Sequence, residues 1–302
     1  MTAGGPLAQA SGATPAGAMP QSAAYPLWAQ VVGGRNSLKG DDNAAETKTS
    51  LDGLFVGGDA VVGKDWRVGG ALGFTDGNID VNDRSSSSSV RSYIGSIYGG
   101  NRCSTDKGSV NFLAGAAYTR NSVNTSRSVN VGGNQVLRVD YDVNATQLFT
   151  ELGYSFLVGQ ASSVEPYMGM DWLSQRAKAF SESGGSAALQ GESQKNNVTS
   201  TTLGLRGKTM FELGGKQATL TGGLGWRHAA GDIDASRQVA FVQGNGAAFR
   251  VAGAPIAKNA AVMELGVEVA VSINTAMGLS YSGQFGNGSS DDTGSLYLKV
   301  RF

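Results

Sequence analysis

The chain has 302 residues, of which 16% are charged, with 24 basic and 24 acidic side chains giving a net charge of zero. No basic excess points to nucleic acid, and the single cysteine (Cys103) and single histidine (His228) exclude an internal disulfide, a paired zinc–thiolate site and most histidine-based metal or catalytic constellations. No run approaches the ~18 consecutive apolar residues of a transmembrane helix, but a transmembrane strand needs only about 9–11 residues with every second one apolar.

Glycine and proline divide the chain. Gly is 45 of 302, about twice the ordinary share. Four of the six prolines, Pro6, Pro15, Pro20 and Pro26, lie before residue 27. Residues 1–26 therefore read as an Ala/Gly/Pro/Ser-rich linker, and residues 27–302 as one β-domain. Glycine without proline suits strands with close backbone approach and tight turns. No Lys or Arg precedes Arg35, so the charged start of a signal peptide is not seen. Met1 reads as the beginning of a cut-out domain.

From residue 27 onward the pattern is alternation with period 2. Twelve segments are expected, starting near Leu27, Ser50, Trp66, Ser88, Ser109, Val139, Val164, Val198, Gln217, Asn259, Thr275 and Ser295. In the third, Val68, Leu72 and Phe74 oppose Arg67, Gly69, Ala71 and Thr75. In the sixth, Leu148, Leu152, Tyr154, Phe156 and Val158 oppose Gln147, Glu151, Gly153 and Ser155. In the seventh, Val164, Met168, Met170 and Trp172 oppose Glu165, Tyr167, Gly169 and Asp171. In the eighth, Leu203, Leu205, Thr209 and Phe211 oppose Thr202, Gly204, Arg206 and Lys208. In the ninth, Leu220, Leu224 and Trp226 oppose Thr219, Thr221, Gly223 and Arg227. The tenth is the clearest: Met263, Leu265, Val267, Val269 and Val271 against Glu264, Gly266 and Glu268. The last sets Leu296, Leu298, Val300 and Phe302 against Tyr297, Lys299 and Arg301.

The connections are sorted. Short turns are expected at Gly63–Asp65, Gly159–Ser162, Gly214–Lys216 and Asn274–Thr275, with a longer one at about Gly100–Gly108. Those after odd-numbered strands are mostly longer and polar, including Asn36–Thr49, Asp83–Ser89, Ser181–Asn197 and Gly231–Lys258. Short on one side and long on the other is the outer-membrane arrangement, and an even strand count then puts both termini in the periplasm. In lipid a sheet must leave no free edge, so the last strand pairs with the first. The expected fold is all-β, a twelve-stranded antiparallel transmembrane β-barrel with the N-terminal linker threading a narrow lumen. A soluble β-sandwich or β-helix is the competing architecture.

The chain resembles the β-domain (translocator) of autotransporters, the monomeric type V secretion family. The blocks "LWAQVVGGRNSLKGD", "GGDAVVGKDWRVGGALGFTDGNIDV", "YDVNATQLFTELGYSF", "VEPYMGMDWL", "STTLGLRGKTMF", "GGLGWRHAAGD", "AAFRVAGAPIAKNAAVMELGVEVAV" and the closing "LYLKVRF" carry the resemblance in order. It implies secretion of an N-terminal passenger through the bacterial outer membrane. It also implies insertion by the barrel-assembly machinery, contact with membrane lipid, and a monomer with the passenger's linker in the lumen. Phe302 would end the assembly signal; its plain reading is an outward aromatic closing an amphipathic strand. The family usually places a helix ahead of the first strand, and the prolines make residues 1–26 a poor long helix. The expected plug is therefore partial, irregular or truncated.

By parity the lumen-facing charges are Asp59, Arg67, Glu151, Asp171, Arg206, Lys208, Arg227, Glu264, Glu268, Lys299 and Arg301. They read equally as a polar wall for linker and water and as ion pairs that keep the barrel round. His228 shares the parity of Trp226 and is expected outward, against its use by an outer-membrane hydrolase. There is no G-x-S-x-G elbow, and no Asn-Asn precedes the first strand to suggest passenger cleavage there. Cys103 falls in an expected turn. Trp66, Tyr118, Trp172, Trp226 and Tyr281 read as interfacial girdles or plain outward packing. The leading reading is a translocator without cofactor or enzymatic activity; a small porin-like channel and an outer-membrane hydrolase are the alternatives.

Overall fold

The computed structural model describes residues 27–40, 45–63, 66–81, 85–130, 132–234, 236–244, 248–253 and 255–301. The expected linker 1–26 and Phe302 lie outside the described residues. The strands are β1 (Leu27–Leu38), β2 (Thr47–Val62), β3 (Trp66–Val81), β4 (Ser86–Thr105), β5 (Gly108–Asn130), β6 (Asn134–Val158), β7 (Ser162–Ala177), β8 (Phe180–Ser181), β9 (Leu189–Gly191), β10 (Gln194–Leu213), β11 (Lys216–Gly231), β12 (Ser236–Phe241), β13 (Phe249–Ala252), β14 (Asn259–Ser272), β15 (Thr275–Gly286) and β16 (Ser289–Val300). No helix occurs among the described residues.

Twelve of these strands close into an antiparallel barrel in the order β1-β16-β15-β14-β11-β10-β7-β6-β5-β4-β3-β2. They correspond one to one with the twelve alternating segments; the start is furthest off at β16, which begins at Ser289 rather than Ser295. The seam runs in register from Leu27↔Val300 to Leu38↔Ser289, so neither edge of the ladder is left open there. One interruption has a plain cause. Between β6 and β7 the pairing skips from Gly153↔Tyr167 to Phe156↔Val164, beside Pro166, which has no N–H to give the ladder.

The two faces are inverted relative to a soluble protein. Leu72, Ile97 and Leu224 point outward and are 73%, 69% and 67% exposed. Thr75, Ser92, Gln147, Glu151 and Arg206 are buried on the other face. Apolar out and polar in, strand after strand, is the period-2 signature of a transmembrane barrel. Aromatic pairs bracket the outward apolar band. Trp66 meets Phe112 and Tyr154 meets Phe156 towards the short-turn end, and Phe74 meets Tyr93 towards the other.

The glycine content has a specific use. Six inward aromatics lie directly across from a glycine on the neighbouring strand: Trp28↔Gly57, Phe55↔Gly73, Tyr98↔Gly69, Phe149↔Gly115, Tyr167↔Gly204 and Tyr297↔Gly278. A Cβ on any of these glycines would come within 3 Å of the facing ring. The ring lies flat over the strand and covers backbone that the missing side chain leaves bare. Gly57→Ala is expected to destabilise the barrel by about 1–3 kcal/mol, the usual cost of overpacking. Its Cβ would sit 2.4 Å from the Trp28 ring and 2.9 Å from the Gly70 carbonyl oxygen. The urea midpoint for unfolding from vesicles measures the loss, and adding Trp28→Ala should recover only part of it.

Two expectations about connections are corrected. Strand β4 runs to Thr105, so the turn to β5 is only 106–107 and Cys103 lies inside β4, exposed. At the opposite end β5 joins β6 through 131–133 and β15 joins β16 through 287–288, both short. The polar stretches taken for loops are strand: β5 and β6 have 23 and 25 residues. Backbone pairing does not depend on apolar side chains, so the ladder continues above the apolar band. The two long connections, 178–193 and 232–258, hold a separate four-stranded sheet ordered β13-β12-β9-β8. It is tied to β6 by paired backbone hydrogen bonds between Arg138 and Ser183, both 2.9 Å.

Candidate functional site: the barrel interior

Charged side chains from distant strands meet inside the barrel. Arg206 of β10 is the hub. Its Nη1 donates to Glu151 of β6 at 3.3 Å and to Glu165 of β7 at 3.4 Å, and its Nε donates to Glu264 of β14 at 3.3 Å. The guanidinium also stacks 4.4 Å from the Tyr167 ring. Glu165 accepts a further bond from Asn111 of β5 at 2.6 Å. Three nearby strands, β6, β7 and β14, thus bring groups to one cation on β10, three carboxylates share it, and β5 joins through Asn111.

Three smaller groups complete the wall. Arg67 is ion-paired with Asp59, which also accepts from the Tyr98 hydroxyl at 3.3 Å; that hydroxyl accepts from the Trp28 indole at 3.0 Å. Lys299 donates to Glu268 at 2.5 Å, and the Tyr297 hydroxyl donates to the same oxygen at 3.1 Å. Arg227 donates to Gln284 at 2.6 Å and to Ser200 at 2.8 Å, while Asp171 accepts from Gln147 at 2.5 Å. Lys208 is half-buried on the same side of β10 as Arg206. Arg301 is different: it lies exposed just past β16, and its backbone N–H donates to the Asn274 carbonyl at 2.9 Å.

The interior is not uniformly polar. Trp28, Val32, Phe55, Ile94 and Tyr98 form an apolar cluster, with Ala71 and Phe149 packed against it. These come from β1 to β6, whereas the Arg206, Lys299 and Arg227 groups draw mainly on β6 to β16. The inner wall thus carries an apolar cluster, bordered by the Arg67–Asp59 pair, on β1 to β6, and most of its other charged groups on the remaining strands. Sequence parity assigned Tyr167 and Tyr297 to the inner side, but only register shows each ring lying over its glycine. Glu165 was likewise on the inner face by parity without being picked out as a site; its value comes from Arg206 on the adjacent strand.

Among the described residues no group of three or more His, Cys, Asp or Glu could hold a metal ion. His228 sits outside the barrel, its Nδ1 2.8 Å from the Asn259 side-chain oxygen and its ring 5.7 Å from Trp226. The interior can fix the cross-section through cross-strand ion pairs, and can offer both charged and apolar surface to a chain inside it.

The comparisons agree with this geometry. Residues 27–282 match the family model described as the autotransporter beta-domain. An extracellular serine protease of Serratia marcescens is 32% identical over 276 residues, covering 91% of this chain and 26% of that protein. The chain therefore spans about a quarter of the curated relative's length. The translocator domain of autotransporter NalP from Neisseria meningitidis superposes with a TM-score of 0.76 at 17% identity, covering 97% of this chain and 94% of that one. The β-domain of the Bordetella autotransporter BrkA gives 0.67 at 18% identity, covering 92% and 100%. The chain belongs to the autotransporter β-domain family and is an outer-membrane translocator domain.

Proposed function

We propose that this barrel sits in lipid with its short turns and both termini in the periplasm and its long connections outside. The passenger's linker occupies the lumen. The outward apolar band with aromatics at its margins supports the lipid contact, and the two long connections, 178–193 and 232–258, lying at one end support the orientation. Phe302 ends the signal for the barrel-assembly machinery, the barrel acts as a monomer, and residues 1–26 supply the linker. The domain has no enzymatic activity of its own: the word protease in the relative's name describes that whole protein, and here the lone histidine faces away from the interior. The passenger is a secreted protein, of the kind that the Serratia relative's name describes.

The observation that carries this reading is the closed twelve-stranded barrel with both apolar and charged groups on its inner wall. Planar-bilayer conductance tests it against a small porin-like channel. The chain from residue 1 should conduct weakly, and the chain from residue 27 should conduct clearly more. Equal, large conductance from both would favour a simple pore.

A further inference from the structure

The outer face of the barrel carries an unbalanced row of cations at the long-connection end. The register sets Tyr93 of β4 against Arg120 of β5, Arg120 against Asn144 of β6, Asn144 against Arg176 of β7 and Arg176 against Lys195 of β10. Arg176 has the outward parity of Met168, Met170 and Trp172, and Lys195 that of Leu203 and Leu205; both are exposed. The Arg120 side chain, with the parity of Tyr118, is 63% exposed. On β5, β7 and β10 no outward apolar residue lies between this row and the end of the strand, so the row stands just past the apolar band.

Other cations at this margin have acidic partners. Arg91 pairs with Asp76 at 3.3 Å and Lys48 with Glu46 at 3.5 Å, while Arg120 and Lys178 share Asp142 at 3.5 and 2.6 Å. Asp140, further along the same face of β6, is offset in charge there by Arg138. Arg176 and Lys195 differ: among the described residues neither has an ion-pair partner. Residues directly opposite on antiparallel strands have Cβ atoms about 5 Å apart, and like charges placed so repel.

We propose that Arg176 and Lys195, flanked by Arg120, bind the phosphate of an anionic lipid headgroup in the leaflet that meets the long-connection end. A phosphate relieves the repulsion, because a guanidinium fork and an ammonium both donate to its oxygens. Lipid is the source because the row opens sideways, on the same face as the apolar band and just past it. Acyl chains cover Met168, Met170 and Leu203 there, and headgroups stand at the level of the cations. Lys and Arg stems lie along apolar surface while their charged ends stay in the polar layer. The proposal rests on the reading that the outward band lies in lipid; the cost of Leu224→Arg in vesicles tests that reading by itself.

The test uses the full chain folded in dodecylmaltoside micelles, which carry no phosphate, with diphosphoryl lipid A as the probe. Native mass spectrometry counts the lipid retained, and heat-modifiable migration verifies that each variant is folded. The expected result is a retained lipid whose occupancy falls at least several-fold in Arg176→Gln with Lys195→Gln. Lys216→Gln, which removes an exposed cation at the short-turn end, should leave it unchanged. Thermal unfolding in the same micelles supplies the sign. Without lipid the double variant should be as stable as the parent chain or more so, since a repulsion has gone; with lipid only the parent should gain stability. No retained lipid, equal retention by the double variant, or equal loss in Lys216→Gln overturns the site. Displacement by an equimolar amount of inorganic phosphate marks a free-anion site and overturns the lipid source.

Discussion

Replacing Arg206 with methionine is expected to cost the barrel about 3–5 kcal/mol, the size seen when one member of a buried ion pair is removed. Methionine roughly keeps the stem's length and its contact with Tyr167 but leaves Glu151, Glu165 and Glu264 facing one another without their shared cation. The Arg206 and Glu151 side chains are 8% and 9% exposed, so water can do little to replace the guanidinium. The urea midpoint for unfolding from vesicles should fall sharply at neutral pH. Adding Glu151→Gln and Glu264→Gln should recover much of the loss, because the repulsion and the buried charges go together. Arg206→Lys should fall between, since an ammonium cannot bridge three carboxylates in the guanidinium's fork geometry.

The second large effect lies on the opposite face. With the outward band in lipid, Leu224→Arg is expected to destabilise the barrel by about 2–4 kcal/mol, the cost of a cation near the bilayer midplane. Leu224 is near the middle of β11 and 67% exposed; on a soluble protein the same change would be almost free. The comparison that isolates lipid is depth. His228→Arg, on the same face at the strand's end beside Asn259, should cost about 1 kcal/mol or less. Equal costs at the two positions, measured by reversible folding into vesicles, would show that the band does not face hydrocarbon.

The barrel was legible in the sequence because period 2 survives wherever one face is apolar. The stretch Met263 to Val271 identifies β14 without help, and parity alone assigns its glutamates to the other face. The extended ends of β5 and β6 were not legible. Ser122 to Asn130 has almost no apolar residues, so it reads as loop although the backbone ladder runs through it. Strands β8, β9, β12 and β13 have two to six residues each, too short to show any period. Partnership in the interior was hidden for another reason. Parity gives a face but not a depth, so nothing in the sequence brings Glu151 to Arg206 across the intervening β7. The glycine–aromatic pairs need register in the same way. Glycine abundance was visible, but Gly57 beneath Trp28 appears only once β1 and β2 are aligned.

The most direct test of the translocator account is topological. A folded-reporter sequence is fused ahead of residue 1 and expressed with a secretion signal in a Gram-negative host. External protease is then added to intact cells. The account predicts that the reporter reaches the surface and is removed, while the barrel stays in the outer membrane fraction as a heat-modifiable band. A correctly folded barrel in that membrane with the reporter protected in the periplasm would contradict it.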